Sequence, residues 1–150
     1  MDDDTFLAQF EACTLSVEQC THRAHVKVAW LYLRAHPLED AIDRIRAGIK
    51  AYNTANDVAD GPGMGYNETV THAFMHIVHA TMQAYGELFP VKTADEFCDI
   101  HPHLLQRSLI RIFYSPDGRP DLAAEKTRFI EPDMCDRPRY RPRDTDTAPR

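Results

Sequence analysis

Apolar residues recur at helical spacing along most of the chain, and proline or glycine stands between the periodic runs. The first run predicts a helix beginning near residues 14–16 and ending near 35. Ser16 and Gln19 have the spacing of a capping box at its start. A second helix follows Pro37, with Leu38, Ile42, Ile45 and Ile49 on one face and Asp43, Arg44, Arg46 and Lys50 on the other. Three glycines and a proline within residues 56–65 predict a loop. A third helix, over 67–88, carries almost no charge, which predicts the central helix of a bundle. Shorter helices are predicted over 93–100, 104–114 and 122–129. The middle one should bury a stripe of Leu105, Leu109, Ile112 and Phe113. No stretch sustains strand alternation and no repeat is evident. The expected fold is an all-α, single-domain helical bundle of about five to six helices over residues 1–135.

Composition adds two zones to that picture. The chain has 150 residues, with 17 Lys+Arg against 23 Asp+Glu and a formal net charge of −6. The last fifteen residues, 136–150, hold five Arg, three Asp, three Pro and one aromatic, a net of +2 that leaves −8 on residues 1–135. Such a tail cannot bury a core and is expected to be disordered. Its alternating Arg137, Arg139, Arg141 and Arg143 could touch nucleic acid or an acidic partner, but so short a basic run reads first as a solvated tail. The acidic body argues against a general nucleic-acid binder.

The four cysteines, at 13, 20, 98 and 135, form no C-x-x-C pair, and the Met-Asp-Asp-Asp start is the reverse of a secretory n-region. Both features point to free thiols and a cytoplasmic protein. The stretch from Thr69 to Gly86 lacks charge, but its histidines, threonines and glutamine disqualify it as a lipid-facing helix. No membrane partner is expected.

Histidine supplies the candidate chemistry. Five of the eight histidines fall on the first and third predicted helices. His22 and His25, one turn apart, share a face with Val26, Ala29 and Leu33. Glu68 and His72, four apart, stack on the third helix, and His76 and His79 continue that line. A buried carboxylate is costly unless paired or bound to a cation, so convergence of His22, His25, Glu68 and His72 predicts a mononuclear metal site. One divalent transition metal (Fe, Zn, Ni, Mn or Cu) would suit that donor set. A second reading has Glu68 stabilising its helix N-terminus and the two histidines hydrogen-bonded in the core. The E-x-x-x-H spacing occurs once and so departs from the paired E-x-x-H motifs of di-iron bundles. No phosphate-binding glycine loop, nucleophile elbow or H-E-x-x-H motif is present. On a continuous helix Cys20 would face away from His22, which argues against a Cys–His nucleophile.

The runs H-R-A-H-V-K-V-A-W-L-Y-L-R (22–34), P-L-E-D-A, Y-N-E-T-V-T (66–71) and I-V-H-A-T-M (77–82) resemble a family of small all-helical bacterial proteins. Its pattern is H-x-x-H-[VL] on one helix and Y-H-E-T-[IL]-T at the start of another, followed by a deeper histidine. The resemblance spans residues 17–135 and carries no activity with it. It singles out His22, His25, Glu68, Thr71 and His79. His72 and His76 stand where the pattern has apolar or aromatic residues, and Asn67 replaces a histidine. His79 lies about 16 Å along the helix from Glu68, too far to share its ion.

The function these residues suggest is a small metalloenzyme acting on a small molecule. His22, His25 and Glu68 would be ligands, His72 a fourth ligand or acid–base group, and Tyr66 and Thr71 would support them. The catalytic candidates are thus His72, Tyr66 and Thr71, with His76 and His79 as further pocket residues. Two alternatives remain at this point: a metal-free His–Glu acid–base enzyme, and a non-catalytic ligand-binding protein or homodimer. Exposure of the Leu105/Leu109/Ile112/Phe113 stripe would favour the last.

Overall fold

The helix at the centre is the first histidine-bearing one. The computed structural model of the chain describes residues 1–134. Among them the fold is all-α: α1 (Asp3–Glu11), α2 (His22–Ala35), α3 (Leu38–Ala55), α4 (Glu68–Tyr85), α5 (Ala94–Ile100) and α6 (Arg119–Ala124). Two 3-10 segments, Pro102–Leu105 and Arg107–Ile112, lie between α5 and α6. The expected tail disorder lies outside the described residues. No helix among the described residues is long and apolar enough to cross a membrane.

α2 packs against α1, α3, α4 and α5, and it buries Val26, Val28, Ala29, Trp30, Tyr32 and Leu33. Trp30 stacks on Phe97 of α5 with ring centroids 5.7 Å apart. α3 buries Ile42, Ile45 and Ile49, as its periodicity predicts, and Tyr52 with them, whereas Leu38 is half-buried. α4 is therefore not the central helix. It buries Phe74, Met75 and Val78 and leaves its other side, with His76, Ala80 and Ala84, exposed.

α1 has no counterpart in the sequence reading. Asp2 caps it by accepting from the Thr5 amide at 2.7 Å, and Asp3 and Asp4 suit its positive end. Phe6 and Phe10, four apart, are its whole buried stripe. The predicted Ser16/Gln19 box does form, each side chain accepting from the other's amide at 3.2 and 3.3 Å. It closes a single turn instead of starting the helix. Thr21 caps α2, five residues further on, through the Ala24 amide.

Two further corrections concern the C-terminal part. Residues 104–114 form 3-10 turns, broken where Gln106 is extended, so the 3.6-residue stripe is lost. Leu104 and Tyr114 are buried instead, Leu105, Leu109 and Phe113 are half-buried, and Ile112 is 56% exposed. α6 begins and ends earlier than expected.

The segment after the 3-10 turns is tied to the start of α4. Asn67 Nδ2 donates to the Leu122 carbonyl at 2.7 Å, and the Ile130 amide donates to Thr69 Oγ1 at 2.8 Å. The Tyr114 hydroxyl donates to the Ile130 carbonyl at 2.6 Å, and the Met134 amide to the Phe113 carbonyl at 2.9 Å. These bonds hold a C-terminal arm, residues 113–134, alongside the exposed side of α4.

Candidate functional site

The predicted metal donors occupy three separate places. His22 and His25 face a small cavity of about 60 Å³ between α2, α3 and α4, which Thr71, Met75, Ile45 and Ile49 also line. His22 Nε2–H donates to the Leu104 carbonyl at 2.9 Å, and its ring meets Phe74 edge-on. Burial pushes the His22 pKa down. Burial, with His22 and Arg107 nearby, pushes His25 down to about 4, so both rings are neutral near pH 7. A space of this size holds water but no organic ligand.

Glu68 lies in a different cluster. Its carboxylate receives Arg46 Nε at 3.1 and 3.0 Å and Arg46 Nη2 at 2.6 Å, and it accepts the Tyr66 hydroxyl. Hydrogen bonding from Arg46 holds the Glu68 carboxyl below the usual range, whereas burial beside that carboxylate pushes the Tyr66 phenol up. The cation that neutralises Glu68 is thus Arg46, which reaches from α3. Placing Arg46 on an outward face missed this contact, because a long side chain covers ground beside its own helix stripe.

His72 and His76 sit on the exposed side of α4, ring centroids 4.7 Å apart, with Phe129 4.7 Å from His72. Burial and the neighbouring His72 push His76 down. Among the described residues no three His, Cys, Asp or Glu side chains gather into a metal-ligand set. The convergence of His22, His25, Glu68 and His72 is therefore corrected. No hydrogen bond among the described residues joins Glu68 to a histidine, so the His–Glu acid–base pair is not assembled either. His79 is half-buried on α4, three residues beyond His76.

Cys20 does not lie on the helix that the spacing predicts for it. It stands in the loop before α2, and its Sγ lies 3.7 Å from His25 Nε2. Burial raises the thiol and lowers the imidazole, so the proton stays on sulfur and the pair is no activated nucleophile. Cys13, Cys20 and Cys98 are free, as expected.

The large concavity lies elsewhere. The exposed side of α4 and the C-terminal arm enclose a cleft of about 730 Å³. His72, Ala73, His76, Ile77, Ala80 and Ala84 form its floor. Ile112, Phe113, Tyr114 and Phe129 form the facing wall, with Tyr85, Glu131 and Pro132 at its edges. No family model, curated protein or solved structure matches the chain.

Sequence reasoning found His72 and His76 but not what they face. The available signal was the absence of charge from α4, which suits a ligand-facing helix as well as a buried one. A polar site also lies on the opposite flank, where Lys126 pins the glycine loop by donating to the Gly61 carbonyl and pairing with Asp60. That contact makes the loop a structural brace.

Proposed function

We propose that this protein binds a small, mostly apolar molecule in the cleft along α4. One observation carries the reading: a cleft of about 730 Å³ with apolar and aromatic walls opens on an uncharged helix face. Ligand pockets span roughly 300–1,000 Å³ with such walls and few polar groups. The small cavity beside His25 is an order of magnitude too small for the same role. Exposure of Ile112, which the sequence placed in a buried stripe, also supports a binding role over a catalytic one. The donors in their present places do not form a transition-metal ligand set among the described residues.

The test is titration with a neutral fluorescent probe, N-phenyl-1-naphthylamine. Wild type should bind it saturably at about one per chain, and Ala80→Trp, which fills the floor, should weaken binding at least about tenfold. Ala80 is exposed, so the substitution should leave thermal unfolding unchanged. Absence of saturable binding, or equal binding by the variant, would overturn the reading. So would a concentration-dependent dimer that excludes the probe, because a second copy would then be the occupant.

A further inference from the structure

We propose that the ligand of the α4 cleft is a lipophilic amine, held by its protonated nitrogen at Glu131 and the surrounding aromatic rings. The proposal rests on the cleft being a ligand site and adds the ligand's charge. Four aromatic side chains, Tyr85, Phe113, Tyr114 and Phe129, line the cleft. Aromatic faces attract cations and repel anions through the ring quadrupole.

The charged lining points the same way. Glu131 is the single carboxylate in the lining, and no Lys or Arg contributes to it. Among the described residues no cation pairs with Glu131. An anionic ligand would meet a like charge with nothing to offset it, whereas an ammonium would gain an ion pair at the edge of the cleft. His72 and His76 do not reverse this sign. Two imidazoles in contact disfavour a shared positive charge, and His76 is pushed down.

Two of the three hydroxyl groups in the lining are already committed. Thr81 donates to the Ile77 carbonyl at 2.8 Å and Tyr114 to the Ile130 carbonyl at 2.6 Å. Neither proton is left for a carboxylate or phosphate head group. What the cleft offers a polar ligand end is therefore ring faces, one carboxylate, imidazole nitrogens and the Tyr85 hydroxyl, whose oxygen can accept from an ammonium. Its apolar floor of Ala73, Ile77, Ala80 and Ala84 suits an alkyl or aryl body.

Octylamine, octanol and octanoate separate the charge from the chain. Each is used near neutral pH to displace the bound neutral probe from wild type and from Glu131→Gln. Octylamine should displace it at a concentration about tenfold below that of octanoate, with octanol between them. Glu131→Gln should bring octylamine close to octanol and leave octanol itself unchanged. Glu131 is exposed, so the substitution should not disturb folding. Octanoate equal to octylamine, or an amine preference that survives Glu131→Gln, would overturn the proposal. Failure of the probe itself to bind would remove the cleft reading instead, so the two failures are distinguishable.

Discussion

His25 is a base that the fold keeps uncharged. Its ring is enclosed by α2 and α3, with His22, Arg107 and Cys20 as its polar neighbours, and its pKa is lowered from 6.5 to about 4. Between those two values the unfolded chain binds a proton that the folded chain does not. Stability contributed by the neutral ring is full above about pH 6.5 and falls as pH drops toward 4. His22 shifts in the same direction and adds to the slope. The carboxylates with lowered values, Glu68 among them, act further down, below their unfolded values near 4.5. Chemical unfolding should therefore show wild type on the order of 2 kcal/mol less stable at about pH 4.5 than near neutrality. His25→Gln should flatten that profile, and an equally steep variant profile would contradict the assignment. At this scale the sequence showed which side chains carry chemistry but not their partners. Glu68 found Arg46 because two helices joined by a loop brought their faces together. His22 found a carbonyl 82 residues away.

The contact between α1 and α3 depends on one missing methyl group. Phe10 is fully buried, and a Cβ added at Gly48 would stand 2.7 Å from its Cε1. Alanine gains about 1 kcal/mol over glycine in helix propensity, whereas overpacking a tight core costs about 1–3 kcal/mol. Gly48→Ala should thus lower stability by about 1 kcal/mol in denaturant unfolding. The double variant with Phe10→Leu should recover most of that loss. A Gly48→Ala protein more stable than wild type would show that Phe10 is free to move. Elements with long stripes and firm punctuation were legible, as with α3 behind Pro37 and α5 behind its Thr93 cap. α1 was not, because two phenylalanines four apart make too short a period to stand out. The 3-10 turns escaped because their apolar residues also fit a helical spacing.

For the molecule as a whole, the informative feature is a helix read as central that in fact lies at an edge. α2 holds the core together, α4 covers it with one side only, and the C-terminal arm leans over the other. The motif Tyr66 to Thr71 is the fastening point. Asn67 holds the Leu122 carbonyl, Glu68 holds Arg46, and Thr69 receives the Ile130 amide. Asn67 and Thr69, which flank the predicted metal ligand Glu68, therefore shape the cleft from outside it. Lack of charge could not separate a buried helix from a ligand-facing one, since both exclude lysine and glutamate from the same surface. Amide chemical shifts recorded while octylamine is titrated into the full chain test the cleft most directly. The account predicts saturable changes confined to the cleft-facing residues of 72–85, 112–114 and 129–132. Changes centred on the His22/His25 cavity, or none that saturate, would contradict it.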